Sequence, residues 1–257
     1  LDSLSYRDTP IHRLDARIKL IVSFIFVVSV ISMPKYEISG LMPFFIYPLF
    51  LLISGEIPFR AIAKKVILIS PFAIFVGIFN PLLDTREWGV FYGVSITYGW
   101  ISFLSIIIKF LLTTSTALLL IATTSFSGIC YAMERLRMPK IFVIQLLFLY
   151  RYLFVLLEES LRMVRAREAR SFGEKGKDIR TFIRLISVLL IRTLERAERI
   201  YYAMLSRGFK GEIKIFGELK LQAGDLFFAL GFISLFYLFR QYDLANFVGL
   251  LILRIVQ

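Results

Sequence analysis

The sequence predicts an all-α integral membrane protein: a bundle of about five to six transmembrane helices that carries a cytoplasmic-side domain of amphipathic helices, in an L-shaped arrangement. Hydrophobic residues make up 58% of the 257 residues, which exceeds the usual share of a soluble domain. They occur in long blocks rather than at the spacing of a soluble core. The net charge of +12 is concentrated between these blocks, as is typical of cytoplasmic loops. The alternative is a very apolar soluble helical bundle.

The N-terminal part, residues 1–124, is predicted to be a transmembrane bundle of four spans. Asp15 lies near the start of the first helix, beside basic residues that suit entry into the bilayer from the cytoplasm. Residues 80–100 are expected to form a loop or a short hairpin with an aromatic belt on the outer side. Lys109, inside the fourth block, is expected to lie near an end or to face protein. The four apolar blocks are 20–33, 38–54, 66–79 and 101–124.

The next apolar block, 141–157, is predicted not to cross the membrane. Four spans return the chain to the inside near Ser125, and the segment 158–214 holds 14 of the 31 Lys and Arg residues. A fifth span would place that basic segment outside, against the positive-inside rule. We therefore expect 141–157 to lie along the cytoplasmic interface or under the bundle. A true span, with Arg151 paired inside the protein, is the open alternative.

The remaining boundaries follow from this topology. Residues 125–224 are predicted to form the cytoplasmic-side domain, and 225–257 a C-terminal transmembrane segment. Within that segment, 244–256 is either a further span or an extension of the first. In the cytoplasmic-side domain, Pro139 is expected to stop the helix that starts near Ser125, and Gly208 to stop the last charged helix.

The sequence offers no constellation of catalytic or metal-binding residues. Cys130 is the one cysteine, which excludes an internal disulfide framework and a multi-cysteine metal site. His12 is the one histidine and is expected to be a surface or capping residue. The acids Glu134, Asp225 and Asp243 are scattered, and the motifs of metalloproteases, serine hydrolases and ATP-binding loops are missing. We therefore predict no catalytic residue, cofactor or metal; an intramembrane enzyme acting on lipid head groups is the distant alternative.

Two short phrases with a central arginine are the candidate functional site. One interpretation is a solvated helix face with membrane-edge cations. The other is a pair of docking points, because a terminal arginine offers a planar fork to the carboxylates and helix-end carbonyls of a partner's groove. Two such helices suit a partner with two equivalent grooves, such as an ATPase dimer. The phrases are Ala169, Arg170 and Ser171, and Ser206, Arg207 and Gly208.

Several segments together resemble the transmembrane T component of energy-coupling factor (ECF) transporters, the CbiQ/EcfT family, and within it the cobalt-type CbiQ branch. Residues 12–20 are similar to the family's Leu-Asp-Pro-Arg-x-Lys phrase, and 136–140, 150–159 and the two arginine phrases complete the match. The departures are Ala16, where the family usually has proline, and Ser206, where it usually has alanine.

The resemblance implies a non-catalytic coupling subunit in the cell membrane. Two ATP-binding cassette ATPase subunits would dock on the helices that end at Arg170 and Arg207. A substrate-binding S component, CbiM-like and with or without a small CbiN-like subunit, would capture the substrate. The lipid bilayer surrounds the complex and nucleic acid has no part in it. The branch implies cobalt uptake, with nickel or a shared vitamin system as alternatives.

Overall fold

Apart from one hairpin, the described part of the chain is helical, which confirms the predicted all-α class. The computed structural model describes residues 5, 7, 9–84, 87–91, 94–170, 179–209 and 222–241, with the backbone alone for 87–91, 94–96 and 181. The helices are α1 (Pro10–Arg13), α2 (Ala16–Ile31), a 3₁₀ helix (Ser39–Phe45), α3 (Ile46–Ser54), α4 (Phe59–Gly77), α5 (Phe79–Leu83), α6 (Tyr98–Thr123), α7 (Phe126–Arg135), α8 (Lys140–Arg170), α9 (Ile179–Ser206) and α10 (Ala223–Gln241). The strands β1 (Glu87–Phe91) and β2 (Val94–Thr97) pair antiparallel.

Within the described residues, four helical segments are long and apolar enough to cross a membrane: α4 with α5, α6, α8 and α10. The helical segment Ser39–Ser54 is apolar but shorter. All four predicted N-terminal blocks contain helix, and the hairpin lies within the predicted loop 80–100, although α6 begins already at Tyr98. The block 244–256 lies outside the described residues.

Helix α8 contains an apolar segment and a charged one. The apolar block 141–157 and the charged helix that follows form one continuous helix of 31 residues, because neither glycine nor proline interrupts it. By length and composition α8 can span a bilayer. Its predicted position along the interface stays a prediction.

The chain divides into two compact units. Unit 1 comprises residues 1–132 and 218–257, and unit 2 comprises residues 133–217. Unit 2 is therefore inserted in unit 1, with the first boundary after Ala132 within α7 and the second before α10, and the chain passes from one unit to the other twice.

The core of unit 1 is aromatic. Phe26 of α2 is fully buried, and its ring centroid lies 4.9 Å from that of Tyr47 and 5.3 Å from that of Phe236. The hydroxyl of Tyr47 hydrogen-bonds to that of Ser23 at 2.9 Å, so the one polar atom of this ring is satisfied. Helices α2, α3 and α10 thus share one packed centre, to which α6 adds Leu112 among others.

Two lysines bind α6 to the two ends of α2. Lys19 Nζ donates to the carbonyl oxygen of Thr123, the last residue of α6, at 2.8 Å. Lys109 Nζ of α6 donates to the carbonyl oxygen of Met33, just beyond the end of α2, at 2.6 Å. The helices therefore run antiparallel. Lys19 satisfies a carbonyl of the last turn of α6, and Lys109 satisfies one in the segment that follows α2. The expectation that Lys109 faces protein is confirmed.

The end of α7 differs from the prediction. Pro139 does not stop this helix, which ends at Arg135. The stop is a left-handed residue, Arg137 with φ +67°, after which the Met138 N–H donates to the Met133 carbonyl at 3.1 Å. This is a Schellman motif with arginine in the position that usually holds glycine, so the sequence lacks its usual signal. Pro139 instead precedes the first turn of α8, where its fixed φ is suitable.

Candidate coupling site

The first arginine phrase ends α8. Ala169 and Arg170 are the last two residues of that helix, and both are exposed. Ser171 lies outside the described residues. A cation in the last helical turn is favourable because the carbonyl ends of the helix carry partial negative charge. Arg170 therefore lies on a regular helix with its side chain exposed.

The second phrase ends α9 in a defined turn. Ser206 is the last helical residue, and Arg207 and Gly208 follow it, all three exposed. Gly208 has φ +80°, and its N–H donates to the Leu205 carbonyl at 2.9 Å while the Phe209 N–H donates to the Met204 carbonyl at 3.0 Å. These two bonds make a Schellman motif. The predicted stop at Gly208 is confirmed, and the position of Arg207 depends on that glycine.

The two phrases lie on helices that contact each other away from their ends. Arg192 Nη1 of α9 donates to Glu159 Oε1 of α8 at 2.8 Å. By the helical rise, Arg170 lies roughly 16 Å beyond Glu159 along α8, and Arg207 roughly 22 Å beyond Arg192 along α9. The structure therefore relates the two arginines through this ion pair and the rigid helices on either side.

Two cavities accompany the contact between α8 and α9. One, of about 600 Å³, is lined mainly by charged residues, including Glu159, Arg196 and Arg199. The other, of about 420 Å³, is lined mostly by apolar residues such as Phe148, Val155 and Met204, with Tyr152 and Ala197 beside them. Neither cavity could be predicted from the sequence, because the residues that meet belong to turns of two helices more than thirty positions apart.

A buried acidic pair was also missed. Asp225 Oδ1 accepts the backbone N–H of Asp15 at 3.0 Å, and the two residues are 3% and 1% exposed. In the sequence Asp225 is one of several scattered acids, because 210 positions separate it from Asp15. Asp15 also has the predicted role of helix N-cap, because its Oδ1 accepts the Arg17 N–H at 2.9 Å.

The remaining single residues have structural surroundings. His12 Nδ1 lies 2.7 Å from the Thr9 hydroxyl at the N-cap of α1, which fits the expected capping role. Cys130 is buried, and burial raises the pKa of its thiol, so the reactive thiolate is disfavoured. Among the described residues, no three of the His, Cys, Asp and Glu side chains are grouped so that they could hold a metal.

Comparisons with known proteins give the family. A model of the cobalt transport protein family CbiQ matches residues 7–215. An uncharacterized protein of Methanocaldococcus jannaschii is 30% identical over 232 residues, which cover 86% of this chain and 78% of the relative. The energy-coupling factor transporter transmembrane protein EcfT of Ruminiclostridium cellulolyticum is 26% identical, with 78% and 80% covered. The cobalt transport protein CbiQ of Rhodobacter capsulatus is 30% identical over 97 residues, 37% of this chain and 40% of the relative. With most of its length matched, the chain belongs to the CbiQ cobalt transport protein family, as a membrane component of a transporter.

Proposed function

We propose that this chain is the transmembrane coupling subunit of an ECF-type ABC transporter for cobalt ion uptake, multi-pass in the cell membrane and not itself an enzyme. Two ATP-binding cassette ATPase subunits dock on the ends of α8 and α9 in the cytoplasm. A separate S component, CbiM-like with or without a small CbiN-like subunit, captures the ion. Residues 125–224 act as the coupling domain and transmit the conformational change of the ATPases to the S component.

The observation that carries this proposal is the pair of exposed arginines at the ends of two connected helices. Arg170 and Arg207 each end a long helix, and the ion pair of Glu159 with Arg192 connects the two helices between those ends. A force applied at either arginine would act on a rigid helix, and the ion pair would pass part of it to the other helix. The guanidinium fork suits the carboxylates and helix-end carbonyls of an ATPase groove.

Cobalt is the proposed cargo because the family whose model matches is one of cobalt transport proteins. The alternative is a nickel transporter or a system shared among vitamins. Relatives named EcfT, at 26–29% identity, match 78–79% of the chain, and their name states no cargo. The S component recovered with the tagged chain from its native membrane, followed by uptake assays with cobalt and nickel, separates these cargoes.

The test of the coupling role is the double variant Arg170→Glu/Arg207→Glu. We expect it to insert in the membrane at the wild-type level, to lose most of the co-purified ATPase and to reduce uptake to background, because each docking cation becomes an anion. Full uptake by this variant would overturn the proposal.

The matched control is Arg165→Glu/Arg184→Glu. Both arginines are exposed and lie on the same two helices, Arg165 five positions before Arg170 and Arg184 twenty-three positions before Arg207. The control makes the same change of net charge, so it should retain ATPase and uptake. An equal loss in both variants would mean that the basic charge of unit 2 acts as a whole, without specific docking at the ends.

A further inference from the structure

Three charged side chains are buried together at one end of unit 1. Asp15, Lys19 and Asp225 are 1%, 2% and 3% exposed, and the Lys19 ammonium interacts electrostatically with both carboxylates. Lys19 Nζ donates to the Thr123 carbonyl at 2.8 Å. Asp225 accepts the N–H of Asp15 at Oδ1 and that of Gln222 at Oδ2, at 3.0 and 2.8 Å. We call Asp15, Lys19 and Asp225 the buried triad.

The triad joins both points at which the chain passes between the units. Thr123 ends α6, and the chain continues through α7 into unit 2 after Ala132. It returns at residue 218 and begins α10 beside Asp225. The first turn of α2 therefore holds the outgoing and the returning connection through one set of contacts. Arg17, in that same turn, reaches α7 itself, since its Nη2 donates to the Tyr131 hydroxyl at 3.1 Å.

Stability alone is a poor reason for this arrangement. Burying two carboxylates and an ammonium costs hydration that their mutual attraction often does no more than offset. The hydrogen bonding of the triad is also incomplete, because the buried Oδ2 of Asp15 has no hydrogen-bond partner. An apolar set of similar volume would hold the helices at no such cost, but it would not fix their relative positions through directed bonds.

We propose that Asp15, Lys19 and Asp225 are positioning residues for energy coupling. By fixing α2, the end of α6 and the start of α10 to one another, they make a displacement of unit 2 reach the membrane helices as a movement of the joined set. Without the triad, the two connections move separately and the displacement is lost in local bending. This inference rests on the proposed coupling function.

The test is Lys19→Met in the full complex. Methionine keeps the length of the side chain but removes the donor to the Thr123 carbonyl. It leaves the two carboxylates with one positive charge fewer, because Arg17 Nε, 3.6 Å from Asp15 Oδ1, balances one of them alone. We expect ATPase co-purification and ATP hydrolysis to persist, because Arg170 and Arg207 are untouched. Uptake per ATP hydrolysed should fall by about fivefold or more. Amide hydrogen exchange should rise together in 119–132 and 222–229.

Charge rescue distinguishes positioning from simple packing. Lys19→Met/Asp225→Asn again has equal numbers of opposite charges around Asp15 and Arg17, so we expect part of the uptake per ATP and of the exchange protection to return. The rescue is partial because asparagine accepts with a single oxygen, whereas Asp225 accepts two N–H groups.

Lys109→Met is the matched control. It makes the same substitution on a lysine that joins the same two helices elsewhere, from the middle of α6 to the segment just after α2, fourteen positions from Thr123. We expect uptake per ATP to stay near that of the wild type even where thermal stability falls. An equal loss of uptake per ATP in Lys109→Met would overturn the inference, as would wild-type uptake and exchange in Lys19→Met.

Two further outcomes would also overturn the positioning role. Loss of bound ATPase in Lys19→Met would assign the effect to docking and overturn the positioning role. Failure of both Lys19→Met and the rescued variant to accumulate would make the triad a folding element and also overturn it. If Arg170→Glu/Arg207→Glu keeps full activity, the proposed function fails, but the exchange in 119–132 and 222–229 still tests whether the triad joins the two connections.

Discussion

The two units of the chain treat their large apolar residues differently. In unit 1, Phe26 and Phe236 are 0% and 1% exposed in a core of packed rings. In the described part of unit 2, the buried apolar residues are Val143 and Ile144, whereas Phe182 is 62% exposed. Unit 1 also exposes apolar residues, as lipid-facing helices must, but it does so around a core of its own.

The difference indicates what each unit needs from its surroundings. Unit 1 has internal packing that specifies its helix arrangement, so lipid on its outside is sufficient. Helix α9 of unit 2 has no buried residue among those described and carries an exposed apolar stripe. A large exposed apolar surface is typical of a site that contacts another protein or a membrane. We therefore expect substitutions in unit 1 to change the stability of the chain, and those in unit 2 to change its assembly.

The largest expected effect comes from Phe26→Ala. It removes a fully buried ring in contact with three other rings and should reduce the free energy of unfolding by about 3–5 kcal/mol. The same change at exposed Phe182 should cost less than about 0.5 kcal/mol. Denaturant titration of the purified chain in detergent measures both. Equal costs would mean that unit 2 has a core of similar importance.

The next effect concerns assembly. Leu190→Ser/Leu194→Ser changes two residues of α9 that are 58% and 59% exposed. We expect the stability of the isolated chain to be nearly unchanged and recovery of the membrane-embedded S component to fall about tenfold, because this apolar stripe fits a membrane-embedded partner better than a soluble ATPase. The control, Leu68→Ser in unit 1, changes a leucine that is 79% exposed and should leave recovery unchanged. A loss in both variants would contradict the assignment of the stripe.

A third pair of variants compares the same turn in the two units. Gly208 ends α9 with φ +80°, and no atom lies within 4 Å of a Cβ added there, so Gly208→Ala should cost about 1 kcal/mol through the backbone alone. Glu56 closes α3 of unit 1 with φ +50°, so Glu56→Gly should gain up to about 1 kcal/mol. Thermal unfolding of the two variants measures both changes. Shifts of the same sign would show that side-chain contacts, rather than backbone strain, decide these turns.

The smallest effect is expected for the ion pair between α8 and α9. The side chains of Arg192 and Glu159 are 56% and 23% exposed, so water screens their attraction. A double-mutant cycle with Arg192→Gln and Glu159→Gln should give a coupling energy below about 1 kcal/mol. A much larger coupling energy would indicate that this ion pair, rather than a bound partner protein, holds the two helices together.

The features that the sequence could predict are those that depend on residues close together in the chain. The apolar blocks and the stop at Gly208 could be predicted, because hydropathy and glycine act through neighbouring residues. The turn at Arg137 was missed because arginine carries no signal for a left-handed backbone. Helix α8 continues across residue 157, because a change of composition does not interrupt backbone hydrogen bonds.

The site divides in the same way. The exposure of Arg170 and Arg207 follows from their place at the ends of charged helices, although their role in docking stays a prediction. The pairing of Asp15 with Asp225, and of Glu159 with Arg192, could not be predicted, because each pair is separated by at least 33 positions and depends on how the helices pack.

The reciprocal lysines of α2 and α6 have a consequence for how the lengths of these helices can change. Fourteen positions separate Lys19 from Met33, and fourteen separate Lys109 from Thr123. One residue added to either helix between those positions would rotate its far end by about 100° and move it by about 1.5 Å. One of the two lysines would then lose its carbonyl. The two lysines therefore constrain the lengths of both helices, so that an insertion in one helix is tolerated only with a matching insertion in the other.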